Sequence, residues 1–274
     1  MVRNIAAVAI NTFREAVRDR ILHVLLLGGV IMILGSYAIG YAAIPTATAD
    51  TAGPNAIQME PYLNDRNKVI EDVCLGTMWA LNVVICVFIG TGMIYKEIDK
   101  RTLFTVLTKP IERFEFILGK YAGLALTVLM LCAALGAVFL VYLYCIVGSV
   151  DGGVVQELGF LALEMLLITA IAIAYGAVST PILSAVMTTF TVFIGENVRN
   201  IVELSRFGTY TGAQKWLYTV ELILPNLQSL NHRNDAVWGF MQPWSVFGGA
   251  VIYTAAYVSM LLIVACVAFR NRSF

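Results

Sequence analysis

One carboxylate stands by itself in a long apolar part of the sequence. The run from Leu158 to Gly195 contains a single charged residue, Glu164. A carboxylate inside a bilayer is costly, so such groups usually face a cavity or a bonding partner. Two interpretations stay open: Glu164 is a protonatable group that lines a path, or its carboxyl group is hydrogen-bonded to a neighbouring helix or reaches the interface.

Hydroxyl side chains are frequent in the second half of the same run. Hydroxyl groups can form a polar face along a path or simply join packed helices, and both interpretations stay open here. The candidates for a path are Ser184, Thr188 and Thr191, together with Glu164.

Familiar catalytic signatures are missing from the sequence. The pair Gly119-Lys120 is followed by Tyr121 rather than by Ser or Thr, so no phosphate-binding loop is formed. The sequence contains no H-E-x-x-H, G-x-S-x-G or C-x-x-C pattern. We therefore expect no catalytic residue, no metal site and no cofactor in this chain.

The composition indicates a membrane protein. Hydrophobic residues make up 59% of the 274 residues and charged residues only 13%, whereas soluble domains contain about 25% charged residues. Four long runs without any charged residue follow Arg20, Asp72, Lys120 and Asp235. Each run is longer than the roughly 20 residues that a helix needs to cross a bilayer.

The run around Glu164 is long enough for two further spans. Ser179-Thr180-Pro181 interrupts it, and a proline suits the first turn of a new helix. We predict an all-α polytopic membrane protein with one domain over residues 1–274 and six transmembrane helices. Their predicted ranges are about 21–44, 73–95, 116–147, 158–178, 181–198 and 244–269.

The basic residues predict the orientation of these spans. Twelve of the 18 Lys and Arg residues fall on the side of the N-terminus, so the positive-inside rule places both termini in the cytoplasm. Residues 45–72 and 199–243 are then extracytoplasmic, and the second helix could start above the membrane, between Asn64 and Asp72. Residues 216–224 are predicted to lie at the interface. The net charge of zero gives no basic surface for nucleic acid.

Residues 3–20 form an amphipathic segment ahead of the first span. The pattern predicts an interfacial elbow helix, which either only anchors the chain or also contacts a partner. Its apolar face contains Ala6, Ile10, Phe13, Val17 and Ile21, and its polar face contains Asn4, Asn11, Glu15 and Arg18.

The inner loop between the second and third spans combines charge with apolar residues. Residues 96–120 hold ten of the 36 charged residues. Leu103, Phe104 and Leu107 form a ridge on a short predicted helix that Pro110 ends. Exposed apolar residues on a charged helix favour docking into a partner, with contact to the inner leaflet as the alternative.

These residues resemble the permease subunits of type-2 ATP-binding cassette (ABC) transporters, in particular compact six-span, NosY-like permeases. The resemblance rests on NTFREAVRDRIL at 11–22, YKEIDKRTLFTVLTKPIERFEFILGKYAGL at 95–124 and LPNLQSLN at 224–231. The middle segment matches the family's coupling-helix pattern. The matching residues are Glu97, Arg101, Thr102, Leu103, Leu107, Thr108, Lys109, Pro110, Ile111 and Arg113.

The resemblance implies that residues 96–115 are a cytoplasmic coupling region that docks, with Phe104, on a separate ABC ATPase subunit. It implies two ATPase copies that bind ATP and Mg, a second identical or related permease subunit, and export across a prokaryotic inner membrane. An extracytoplasmic accessory protein is a further possible partner. The chain itself would be no enzyme.

Two rival functions are compatible with the sequence. One is a membrane scaffold or assembly factor that recruits a cytoplasmic partner other than an ATPase through its inner loop. The other is an intramembrane enzyme that uses Glu164 and a water molecule, although no second catalytic group accompanies that carboxylate.

Overall fold

The computed structural model describes residues 2–43, 66–99, 113–206 and 224–270. Within these ranges the chain is helical, which confirms the all-α prediction. The helices are α1 (Val2–Val17), α2 (Arg20–Ala43), α3 (Arg66–Asp99), α4 (Arg113–Val147), α5 (Gly152–Val178), α6 (Pro181–Arg206), α7 (Arg233–Val237) and α8 (Trp244–Arg270), with a 3-10 turn at Leu227–Leu230 before α7.

Four of the described helices are long and apolar enough to cross a membrane. The corresponding segments are Lys68–Gly92 in α3, Phe114–Ile146 in α4, Gly152–Val178 in α5 and Trp244–Phe269 in α8. The apolar part of α2, Arg20–Ser36, is shorter, and α6 is not among the four. The chain is therefore a multi-pass membrane protein, and the number of six spans stays a prediction.

Helix α5 occupies the centre of the bundle. It packs against α3, α4, α6 and α8, and its buried residues lie on all sides of the helix. A helix that is apolar all round is stable only when neighbours cover every face. The surrounding helices instead keep large apolar side chains exposed, such as Phe88 on α3 and Phe193 on α6. Lipid can cover such surfaces in a membrane.

Local sequence signals place several helix ends. Helix α6 begins at Pro181, as predicted, and the Ser179 N–H bonds the carbonyl of Tyr175 at 2.9 Å to close α5. The Asp19 carboxylate accepts the Ile21 N–H at 3.0 Å and so caps the start of α2. Helix α4 ends before Gly148, whose φ of +79° favours glycine.

The segment 224–243 covers one end of the bundle, which we call the capped end. The 3-10 turn packs on α5 and α6, and α7 packs on α3 and α5. Gln156, in the first turns of α5, exchanges two hydrogen bonds with the backbone of Gln242, at 2.9 and 2.8 Å. These contacts hold the segment on the bundle. Residues 216–223 of the predicted interfacial helix lie outside the described residues.

Helix α1 packs closely on the first turns of α4. A Cβ added to Gly119 would lie 2.6 Å from the Val8 side chain, and one added to Gly123 would lie 2.5 Å from the Ala9 carbonyl. The two glycines therefore let α1 approach α4 at backbone distance. The Asn4 side chain also donates to Glu115 at 3.1 Å.

The face of α1 that packs on α4 differs from the apolar face predicted for the membrane interface. Thr12 and Ala16 are fully buried, whereas Ile10 is 53% exposed. Small residues are turned toward α4, because only they allow this close approach. The larger apolar residues remain on the outer surface, where a membrane interface could take them up.

Candidate functional site

Two carboxylates lie on one face of α5, seven residues apart. Glu164 and Glu157 are 1% and 5% exposed, respectively. Seven residues correspond to about two helical turns, so the two side chains point in a similar direction. Both carboxylates are therefore removed from solvent near the capped end of the bundle.

Glu164 bonds to two neighbouring helices. Its Oε1 accepts the indole N–H of Trp79 on α3 at 2.7 Å. The carboxyl group of Glu196 on α6 is its neighbour. Two adjacent buried carboxylates repel each other. We therefore expect the pair to hold one shared proton, which would let one carboxyl group donate a hydrogen bond to the other and link α5 to α6.

The capping segment supplies hydrogen bonds to the same carboxylates. The backbone N–H of His232 donates to Glu157 Oε2 at 3.2 Å, and the Asn231 side chain donates to Glu196 Oε2 at 3.2 Å. The Asn226 side chain accepts the Ser229 N–H at 3.2 Å. This bond stabilises the 3-10 turn that directly precedes Asn231. Buried polar groups need such partners to offset their desolvation.

Arg233 brings a positive charge to this group of acids. Its Nε lies 3.0 Å from Asp72 Oδ1 on α3, and its charge also attracts Glu157 and Glu196. A Cβ on Gly76 would lie 2.8 Å from Arg233 Nη1, so glycine makes room for the guanidinium. Glu157, Glu164, Glu196, Trp79 and Arg233, with Asn231 and His232, are hereafter the acidic cluster.

The three hydroxyl residues predicted as candidates for a path lie on α6, and their side chains are buried in the bundle. Ser184 and Thr188 are fully buried and Thr191 is 6% exposed. Thr188 and Thr191 donate to their own helix, and the Thr191 hydroxyl also lies 3.0 Å from that of Tyr175 on α5. Of the two interpretations, this geometry favours packing between α5 and α6, since the hydroxyl groups already have partners.

A metal site is not formed by the part of the chain that the structure describes. No group of three or more His, Cys, Asp and Glu side chains there could hold a metal ion. The acidic cluster is instead filled with protein donors: an indole, an amide, a backbone N–H and a guanidinium.

Comparison with protein families decides what kind of protein carries this bundle. The pattern of the ABC-2 family transporter proteins matches residues 6–197, well over half of the chain. The chain belongs to the ABC-2 transporter family. A comparison with curated proteins finds no match.

Family membership confirms the resemblance to permease subunits of type-2 ABC transporters. The ABC-2 permease is a transport subunit of an ABC transporter and is not itself the catalytic chain. Membership also implies a membrane context and an ATPase partner. The match covers α1 to most of α6 and thus includes Glu157, Glu164 and Glu196.

The predicted coupling residues of the permease lie mostly outside the described residues. Glu97 falls near the end of α3 and Arg113 begins α4. Their role stays a prediction. Those outside the described ranges are Arg101, Thr102, Leu103, Phe104, Leu107, Thr108, Lys109 and Pro110.

The predicted elbow residues lie on α1 or directly after it. Phe13 and Glu15 are partly exposed, and Arg18 is exposed at the junction with α2. Asn4, from the predicted polar face, instead contacts α4 through Glu115. The part of these residues in coupling stays a prediction.

Sequence reasoning identified Glu164 but not its partners. Trp79, Glu157, Glu196 and Arg233 were not singled out. The spacing of seven between Glu157 and Glu164 was the available signal, because it places two carboxylates on one helical face. The positions of Trp79 and Arg233 depend on tertiary packing.

A substitution series at Glu164 tests the shared proton. In Glu164→Gln the amide keeps both bonds, because its oxygen accepts from Trp79 and its NH2 donates to Glu196. We expect a thermal midpoint within about 2 °C of the wild type. Glu164→Ala leaves the Trp79 indole N–H without its partner, at about 1–3 kcal/mol, and adds a cavity beside Glu196. Its midpoint should fall by roughly 5–15 °C.

Thermal unfolding of the detergent-purified variants measures both values. If Gln proves as damaging as Ala, the position requires a negative charge and the shared proton is wrong. Full transport activity of Glu164→Gln would also remove the rival intramembrane enzyme.

Proposed function

We propose that this chain is the permease of a prokaryotic ABC exporter. It crosses the inner membrane six times with both termini in the cytoplasm, and pairs with a second permease subunit and two ATPase subunits. ATP and Mg bind to those ATPase subunits. The family membership and the four apolar helices support the proposal, and the excess of basic residues on one side supports the proposed orientation.

The observation that carries the mechanism is the length of α3 and α4. They contain 34 and 35 residues, so each is about 51–53 Å long at 1.5 Å per residue. The hydrocarbon core is only about 30 Å thick. Both helices are therefore longer than a perpendicular crossing requires. The last residue of α3 and the first residue of α4 flank residues 100–112.

This arrangement makes α3 and α4 suitable levers. A movement of the segment from Thr102 to Thr108, driven by closure of the ATPase pair, would tilt both helices. Helix α1 would move with α4 because Gly119 and Gly123 hold the two backbones together. The tilt of α3 would act on Glu164 through Trp79.

Transport then depends on changes around α5. Helix α3 contacts both α5 and α6, and the acidic cluster links all three helices near the capped end. We propose that ATP-driven tilting alters access between α3, α4 and α6. The capping segment 224–243 would lie on the extracytoplasmic side, where an accessory protein could bind.

Reconstitution with the ATPase subunit tests this function. Co-expression of the chain with an ABC ATPase subunit from the same genome should yield a complex that contains two ATPase copies for two permease copies. The complex in lipid vesicles should hydrolyse ATP faster than the isolated ATPase, at least about threefold, which is roughly 0.7 kcal/mol at the barrier.

The scaffold alternative predicts a different result. The chain would then bind a cytoplasmic protein without nucleotide-binding motifs through residues 96–115, and the ATPase would neither co-purify nor be stimulated. That outcome would overturn the transporter proposal.

A further inference from the structure

A groove lies between α2 and α3 below the capped end. Its volume is about 470 Å³, within the roughly 300–1,000 Å³ of small-molecule sites. Met32 on α2 and Val73, Thr77, Ala80 and Leu81 on α3 form its walls. These walls are mostly apolar, which favours an apolar chain as the occupant.

The ion pair between Asp72 and Arg233 closes the upper end of the groove. The two side chains lie 3.0 Å apart and are 49% and 33% exposed, respectively. Each can therefore bond a second charged group while it keeps the first. Both line the groove.

The depth of the groove matches one leaflet of a bilayer. Asp72 follows the start of the apolar segment of α3 at Lys68 by four residues, or about 6 Å. Leu81 lies nine residues further, or about 14 Å deeper. Half of the hydrocarbon core is about 15 Å. Charged groups thus lie at the interface, and the apolar walls continue to the middle of the membrane.

The charge around the ion pair selects among lipid head groups. Asp72 and Arg233 contribute one negative and one positive charge, so the exposed pair is neutral overall. A purely anionic head would pair with Arg233 but would be repelled by the Asp72 carboxylate. A zwitterionic head places its phosphate on Arg233 and its ammonium group on Asp72, which complements both charges.

We propose that this groove binds a membrane phospholipid whose zwitterionic head carries a primary ammonium group. One acyl chain lies between α2 and α3. The ammonium group donates hydrogen bonds to the Asp72 carboxylate, and the guanidinium of Arg233 donates to the phosphate. Gly76 is needed because any side chain there would displace the guanidinium.

Native mass spectrometry of the delipidated, detergent-purified chain tests this site. The probes are phosphatidylethanolamine and phosphatidylglycerol with identical acyl chains, added in equal amounts. We expect one phosphatidylethanolamine per chain, with at least a tenfold preference over phosphatidylglycerol. Asp72→Asn should reduce this preference to about threefold or less.

Two phenylalanine variants on α3 separate the groove from the general lipid surface. Ala80→Phe fills the groove and should lower the retained phosphatidylethanolamine at least tenfold. Val84→Phe is the control, since Val84 is also exposed on α3 but does not line the groove. It should keep wild-type retention, and both variants should keep the wild-type thermal midpoint because neither position is buried.

Several outcomes would overturn the proposal. Equal retention of the two lipids by the wild type would show that the head group is not recognised. Equal retention by Ala80→Phe and Val84→Phe would show that the groove is not the site. If Ala80→Phe instead disrupts a permease dimer while lipid retention is unchanged, a second copy occupies this face.

Discussion

Replacing Phe104 by aspartate abolishes the stimulation of the ATPase while the permease still inserts into the membrane. This is the expected result if Phe104 enters an apolar cleft of the ATPase subunit. An unpaired carboxylate in such a cleft costs several kcal/mol. A loss of about 4 kcal/mol lowers the affinity about 1,000-fold, so the complex should not survive purification. ATP hydrolysis and co-purification in lipid vesicles measure both effects.

Two substitutions serve as controls for Phe104→Asp. Phe104→Leu keeps an apolar side chain and should retain most of the stimulation, with a loss of about 1–2 kcal/mol or less. Thr105→Asp introduces the same charge one residue later, about 100° around the predicted helix, and should retain the complex. Full stimulation in Phe104→Asp would contradict docking through Leu103, Phe104 and Leu107.

Most helix positions could be predicted because their signals are local. Each of these signals acts within a few residues. They are the uncharged runs, the proline at 181 and the polar start of α3. The start of α5 is an instructive exception. The predicted span began at Leu158 because Gln156 and Glu157 are polar, yet the helix begins at Gly152. Gln242 and His232, which bond these two side chains, belong to the distant capping segment and follow the whole of α6 in the sequence.

The pairing of Glu164 with Glu196 was accessible from the sequence in retrospect. The predicted turn at residues 179–181 makes α5 and α6 antiparallel neighbours. Thr180 lies midway between Glu164 and Glu196 in the sequence. Equal distance from the turn places the two carboxyl groups at the same height. The sequence therefore already placed Glu164, the single charge of the fourth predicted span, opposite Glu196.

The packing face of α1 shows what a pattern of hydrophobicity cannot predict. The pattern of α1 predicts an interfacial helix with Ile10 and Phe13 on its apolar face, and it does not indicate which face packs on another helix. Helix α4 instead offers Gly119 and Gly123, which favour the smallest surface of α1 at closest approach. Which face of α1 packs on α4 depends on the shapes of two helices that are far apart in the sequence. The hydrophobic pattern of α1 alone therefore does not predict it.

A close contact between α3 and α5 leads to the second large prediction. A Cβ added to Gly90 would lie 2.6 Å from the Ala172 Cβ, with the Ala172 Cα at 3.9 Å and the Thr169 carbonyl at 4.0 Å. None of these atoms can move without its helix. Gly90→Leu therefore separates α3 from α5, which also draws Trp79 away from Glu164. We expect the free energy of unfolding to fall by at least about 3 kcal/mol, the upper range for overpacked cores.

Gly92 provides a matched control on the same helix. No atom of the described residues lies within 4 Å of a Cβ placed there. A leucine at this position clashes with nothing described and gains helix propensity over glycine, so Gly92→Leu should leave stability unchanged or raise it by up to about 1 kcal/mol. The opposite signs of the two variants, measured by denaturant unfolding in one detergent, test the α3–α5 contact itself. Equal losses would mean that glycine is needed for helix flexibility, and α3 would then not act as a rigid lever.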